Sequence, residues 1–429
     1  MDEFSDVWTT TKVDVDYGTH MAEWWEHDIT NLVKKDYNHP CVIMYSIGNE
    51  IPETGNKFDT QWGKKLADTL RSLDDSRYVT NSLNLMLSIM DRLGEMKEQM
   101  AAQAEAKANA KDTEGKDLRE NSEINSMMSS MGDMMNMLIG SEIAGKATEE
   151  AFAQVDIAGY NYAQCRYEPD AKRYPNRIIV GSETFPKDLD ENWELVEKHP
   201  YVIGDFSWTA WDYLGEAGIG KILYEEQQGM GFYAPYPYKA AYCGDLHLLG
   251  DRRPVSYWRE MIWGLRKAPY LSVQLPQYYG ITPQMTNWSM TNAVRSWNWN
   301  GYEGKPVVVE VYTDAEEAEL YINGELKERK VVGEKKKYIA EFDTIYMPGV
   351  VETVVYKDGT EVGRDRIITA KDEAQITAVA DAKEIPADGR DIRYVENSLD
   401  VENGNSNPGG DQAVRVSVDG SGGILGAGS

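Results

Sequence analysis

Two glutamates stand out by their position in the chain. Asn38-His39-Pro40-Cys41-Val42-Ile43-Met44-Tyr45-Ser46-Ile47-Gly48-Asn49-Glu50 is apolar through its middle and ends in polar groups, the pattern of a buried strand that surfaces at its last residues. Ile178-Ile179-Val180-Gly181-Ser182-Glu183-Thr184 repeats that pattern far downstream. When parallel strands close into a barrel, their C-terminal ends converge on one mouth. An isolated Glu after a strand is more often a helix cap or a surface ion pair. Two at one mouth are what glycoside hydrolysis needs: one carboxylic acid protonates the departing oxygen, and one carboxylate attacks the anomeric carbon. Spacing along the chain leaves their separation in space open.

The elements that must position them follow from the same patterning. Residues 1–270 alternate helical stretches (17–36, 57–73, 187–198 and 254–268) with short apolar runs at 41–46, 78–81, 155–160, 178–181 and 201–204, the sign of βα units around a parallel sheet. That makes five strands where a closed barrel has eight. An insert at about 85–150 is rich in Ala, Glu, Lys, Gln and Met. Its first part predicts an exposed helix fading into a loop, and its second puts Met127, Met128, Met131, Met134, Met135 and Leu138 on one helical face, a stripe read as core packing. From 280 to 370 the period becomes two, with Val307, Val309 and Val311 alternating with Val308, Glu310 and Tyr312, and with hairpin turns at Asn323-Gly324 and Asp358-Gly359. This predicts an immunoglobulin-like β-sandwich. Residues 371–429 carry strand-like runs in DIRYVENSL and AVRVSVDG, too little for a full second sandwich with its own core.

Composition narrows the class. Among 429 residues, 71 acidic side chains against 44 basic give a net charge of −27, which argues against nucleic acid as a partner. A hydrophobic share of 41% with 12 Trp and 26 Tyr is enough for a packed core. No run of about 18 apolar residues suggests a membrane span, and the first residues lack the zones of a signal peptide. Cys41, Cys165 and Cys243 form no CxxC pair, so a reducing, cytoplasmic setting is the default expectation.

With these residues in view, the chain resembles glycoside hydrolase family 2, the β-galactosidase and β-glucuronidase family. NHPCVIMYSIGNE looks like its acid/base signature, which implies Glu50 as acid/base and Asn49 as a contact to the sugar 2-hydroxyl. GSET resembles the nucleophile strand and implies Glu183 as nucleophile. GYNY implies Tyr162 as hydrogen-bond partner of the nucleophile, and FSWTAWDYLGE resembles the last barrel strand, with Trp208 as a wall of the sugar subsite. The fold implied is a partial (β/α)8 TIM barrel followed by an immunoglobulin-like sandwich and a partial second sandwich. MDEF resembles the end of the third barrel strand, so the earlier strands and the two β-rich domains that precede the barrel in relatives are expected to be absent, at a cost in autonomous stability.

The resemblance implies a retaining double displacement on a carbohydrate or glycoside substrate, with no metal or redox cofactor required; no motif for a flavin is present, and a homo-oligomer is compatible with the sequence. A glucuronate would call for a cation at the sugar carboxylate. No Asn-x-Lys follows Glu183; Asn109-Ala110-Lys111 lies in the polar insert, and Lys221 in EAGIGK follows the last barrel strand. The expectation is therefore a β-galactosidase, with β-glucuronidase as the alternative. Asp2, Glu3, Asp212 and Glu216 stay unassigned. Rivals of another class are an inactive fragment and a carbohydrate-binding module using Trp288, Trp297 and Trp299, although rings in such sandwiches are more often core.

Overall fold

The structure, a computed structural model, describes residues 1–55, 61–89, 136–224, 234, 238–369, 374–401, 405–406 and 415–426. The chain divides into two compact units, Met1–Ser207 and Trp208–Ser429. Among the described residues, no helix is long and apolar enough to cross a membrane.

The first unit is built on six strands, all parallel and in sequence order: β1 (Asp2–Glu3), β2 (Met44–Asn49), β3 (Tyr78–Asn84), β4 (Ile157–Asn161), β5 (Ile178–Thr184) and β6 (Val202–Ser207). The five apolar runs are β2 to β6, and MDEF supplies β1 at the edge, one strand more than periodicity finds. Two residues carry too little pattern to be seen. The strands run on past the apolar runs into Asn49, Asn84, Asn161, Thr184 and Ser207, because a parallel ladder pairs backbones regardless of side-chain polarity.

Helices cover one face of this sheet. Helix α1 (Gly18–Asp36) buries Met21, Ile29 and Val33, a stripe at helical spacing. Helix α2 (Gln61–Leu73) buries Leu66, Ala67 and Leu70. Both pack with Tyr45, Ile47 and Val79 of the sheet, while helix Glu142–Ala153 packs on Leu83, Tyr160 and Ile179. Met44, Ile157 and Val180 alternate with these and meet on the opposite face. In the insert, Leu138 packs against the second cluster beside buried Ile139; Met127, Met128, Met131, Met134 and Met135 lie outside the described residues.

The second unit contains the period-two region. Strands Tyr270–Val273, Pro306–Tyr312 and Ile339–Ile345 form one antiparallel sheet, and Glu317–Ile322, Glu325–Val331, Val350–Lys357 and Thr360–Ile368 form another. Val307, Val309, Val311, Leu320, Phe342, Val351 and Val355 share one core between them, so the two are layers of a β-sandwich. Asn323 and Gly324 (φ 52° and 82°) and Asp358 and Gly359 (φ 50° and 71°) make the hairpin turns, the conformation Asn-Gly and Asp-Gly favour. Glu310, which alternates with Val309 and Val311, is 3% exposed and accepts from Gln274 Nε2 at 2.8 Å and Thr291 Oγ1 at 2.7 Å. The helix from Pro254 stops at Ile262, short of 268, because Gly264 turns left-handed at φ 67°. A further antiparallel sheet pairs Ala374–Ala380, Val395–Val401 and Asn405–Ser406. DIRYVENSL enters it only from Val395, and the described part of AVRVSVDG, residues 415–420, carries no strand.

Candidate active site

The C-terminal ends of β2, β3, β4 and β5 bring the site together in the first unit. Asn49 closes β2 and Glu50 follows it, Asn84 closes β3, Asn161 closes β4 with Tyr162 next, and Glu183 is the penultimate residue of β5. The ladder is irregular at this level. Tyr160 pairs with Gly181 but Asn161 pairs with Glu183, so β5 carries an extra residue there, and a second shift falls between Ser46 and Asn49 in the β2–β3 pairing. Such an extra residue re-aims the side chains beyond it, which sets Glu183 beside Asn161.

Asn161 is the hub of the cluster. It is fully buried, and its Nδ2 lies 2.8 Å from Asn49 Oδ1, 3.3 Å from Glu50 Oε1 and 3.3 Å from Glu183 Oε2. The two carboxylate oxygens are therefore no farther apart than twice that 3.3 Å. Ser182 Oγ donates to Asn161 Oδ1 at 2.7 Å and holds the amide in this orientation. Asn84 Nδ2 donates to Glu50 Oε1 at 2.8 Å, and Tyr162 OH donates to Glu183 Oε1. The Tyr162 ring stacks on Phe185 at 4.1 Å. Glu50, Tyr162 and Glu183 each keep a partly exposed side chain.

The backbone is strained at two of these residues. Glu50 and Tyr162 have φ of 52° and 53°, a left-handed conformation that costs a non-glycine residue on the order of 1–3 kcal/mol and concentrates at functional sites. Each is held by a hydrogen bond from its own N–H, Glu50 to Ser82 O and Tyr162 to Glu183 O, both at 2.8 Å.

Of the neighbouring residues, the sequence left Asp2 and Glu3 unassigned and did not single out Lys12, Asn84 or Asn161. Glu3 accepts from Ser46 Oγ at 2.9 Å and Ser82 Oγ at 3.0 Å, and desolvation holds its carboxyl above the usual range. Asp2 turns instead to Lys35 of α1. Lys12 Nζ donates to Asn49 O at 3.1 Å and forms no ion pair among the described residues. Asn84 and Asn161 were legible only as polar residues at strand ends, a signal shared with many caps and turns.

Other expected residues fall in the second unit. Trp208 follows β6 directly in the chain; its Nε1 donates to Tyr213 OH at 3.2 Å, and the rings meet edge-on at 5.7 Å. Lys221 is 5% exposed. Asn109-Ala110-Lys111 lies outside the described residues. Asp212 is buried and pairs with Arg253 at 2.6 Å. Trp297 and Trp299 are buried in the sandwich core, and Trp297 Nε1 donates to Met347 O at 3.0 Å; this removes two of three rings from any surface sugar platform.

The chain is similar to known proteins over most of its length. A family model described as "Glycosyl hydrolases family 2, TIM barrel domain" matches residues 4–138, and one described as "Domain of unknown function (DUF4982)" matches 304–363. Beta-galactosidase BoGH2A of Bacteroides ovatus is 24% identical over 477 residues, covering 99% of this chain and 48% of that protein. The crystal structure of a glycosyl hydrolase family 2 member from Bacteroides cellulosilyticus is similar, with a TM-score of 0.72 and 32% identity over 94% of this chain and 44% of that one. Bacteroides uniformis beta-glucuronidase 2 shares the fold at a TM-score of 0.50 and 14% identity, over 85% of this chain and 38% of that one. The chain thus spans less than half the length of each of these relatives. From the strand-end carboxylates, the parallel half-barrel that carries them and these matches, the chain belongs to glycoside hydrolase family 2.

Proposed function

We propose that the chain carries the two carboxylates of a retaining β-glycosidase that hydrolyses O-glycosyl bonds. One observation supports this most: a single buried amide reaches both Glu50 and Glu183 at 3.3 Å. The resulting ceiling on their separation accommodates the roughly 5–5.5 Å of retaining enzymes and reaches only the short edge of the roughly 6.5–9.5 Å of inverting ones. Glu183 Oε attacks the anomeric carbon as the bond to the aglycone oxygen breaks, and that oxygen takes the proton of Glu50. Glu50, now a carboxylate, removes a proton from water, whose oxygen bonds the anomeric carbon as the ester to Glu183 breaks. Tyr162 OH orients Glu183. Asn49 Oδ1 is engaged by Asn161, which turns its NH2 into the end able to donate to a sugar hydroxyl. Trp208 is assigned as a wall of the sugar subsite on the family resemblance.

The sugar we favour is galactose, supported by the name of the Bacteroides ovatus relative and by the net charge of −27. A glucuronide is the second reading, favoured by Lys12, a cation bonded to Asn49 O at 3.1 Å and not recognised as such in the sequence. Labelling the purified chain with 2-fluoro-galactosyl and 2-fluoro-glucuronyl inactivators, followed by peptide mapping, tests both. The expected result is a label on Glu183 from the galactosyl reagent. A label on another residue overturns the nucleophile assignment, and a label from the glucuronyl reagent alone transfers the substrate to the second reading.

A further inference from the structure

An amide NH2 has two hydrogens, and Asn161 Nδ2 faces three acceptors: Asn49 Oδ1 at 2.8 Å, Glu50 Oε1 at 3.3 Å and Glu183 Oε2 at 3.3 Å. The orientation follows from Glu183, which as a carboxylate only accepts, and from Ser182 Oγ, which donates to the other end of the amide. One N–H therefore serves Asn49 at the shorter distance, and the second is divided between two carboxylates at equal, longer distances. Resting on the retaining mechanism above, we propose that Asn161 is a positioning residue whose shared N–H follows the negative charge between Glu183 and Glu50 during the double displacement.

The chemistry requires such a transfer. Before reaction Glu183 is the charged partner and Glu50 holds the proton, so the shared N–H bonds Glu183. Once the glycosyl ester forms, Glu183 has no charge and Glu50 is the carboxylate, so the same N–H is stronger toward Glu50. No side-chain rearrangement is needed, because both oxygens already lie within 3.3 Å of one nitrogen. Full burial of Asn161 keeps water from substituting for it. Tyr162 OH donates to the nucleophile and Asn84 Nδ2 to the acid, whereas Asn161 Nδ2 reaches both carboxylates at 3.3 Å.

Donation to a carboxylate favours its charged form. Losing the shared donor should thus move both limbs of the pH profile, which belong to the pair together, to higher pH. Among the described residues, charged groups close to these strand ends include Glu3 on β1, which accepts from Ser46 Oγ, Lys12, which donates to Asn49 O, and Asp205 on β6 near Gly181; none is altered by the variants. The experiment measures the rate constant for labelling of Glu183 and kcat/KM on an aryl glycoside with a poor leaving group, both against pH. Variants are Asn161→Ala, Asn161→Asp and Ser182→Ala, each with its thermal unfolding curve. For Asn161→Ala we expect a fall of about 10²-fold and both limbs displaced upward by about half a pH unit or more. Ser182→Ala should give a smaller change in the same direction. Lower rates with unmoved limbs, in every variant that still unfolds cooperatively, overturn the inference and leave the glycosidase reading intact. A wild-type chain that takes no label at Glu183 overturns that reading and this inference with it.

Discussion

Glu183 and Glu50 have the same side chain and face one another across one amide, yet they are held differently. Glu183 receives Tyr162 OH, and Glu50 receives Asn84 Nδ2 at 2.8 Å. A phenol donor on the nucleophile orients it and steadies its charge, an effect that one donor at a reacting centre provides at about 10²–10³ in rate. Tyr162→Phe should therefore slow labelling of Glu183 by about that factor with little change in unfolding temperature, read by intact mass against time. Glu50→Ala should behave differently. Hydrolysis of a glycoside with a poor leaving group should fall by about 10²–10⁴, whereas labelling by a reagent with an activated leaving group should persist, since that departure needs no proton. Equal losses on both reagents would move the acid role away from Glu50. Both glutamates were legible as strand-end acids; Asn161 was not, because nothing in GYNY distinguishes an amide facing two carboxylates from one that caps a turn.

At the scale of elements, the site depends on how β4 and β5 are anchored behind it. Asp170, with a side chain 2% exposed, accepts from Tyr160 OH at 2.5 Å and pairs with Arg177 at 3.2 Å and with Arg166. Arg166 also donates to Gly140 O and Ser141 O, which ties the helix beginning at Glu142 to the far side of β4. Removing one member of a buried ionic network strands the others without compensation, at a cost of about 3–5 kcal/mol. Asp170→Ala should lower the stability of the first unit by that order in denaturant unfolding, while a surface pair such as Lys64 with Asp68 should be worth under about 1 kcal/mol. A loss for Asp170→Ala no larger than for Asp68→Ala would show that the network does not anchor the sheet. Strand positions were readable from apolar runs because burial on both faces demands them. The register shifts were not, since a single extra residue leaves no compositional trace.

The whole molecule carries a strong negative field, 71 acids against 44 bases. Such a field repels an anionic sugar at low ionic strength, and salt screens it. The labelling rate for a glucuronyl reagent should therefore rise as salt is added, and that for a galactosyl reagent should stay nearly flat. An anionic reagent whose rate falls with salt would mean that a local cation, such as Lys12 at Asn49 O, outweighs the net charge. Trp8, Trp258 and Trp297 are among the largest fully buried side chains, and Trp297 and Trp299, two of the three rings considered for sugar stacking, lie in the sandwich core.

What the sequence by itself determined is the local and the periodic: strands from apolar runs, helices from their stripes, hairpin turns at Asn323-Gly324 and Asp358-Gly359, and two glutamates at strand ends. Each depends on residues close along the chain or on a repeating pattern. Tertiary structure decided what arises between distant segments. It buried Glu310 and Lys221, and shifted the ladder so that Asn161, Glu183, Glu50 and Asn49 meet within hydrogen-bonding distance. The physical reason is that a backbone register is set by the pairing of whole strands, and a shift of one residue there changes which side chains face each other.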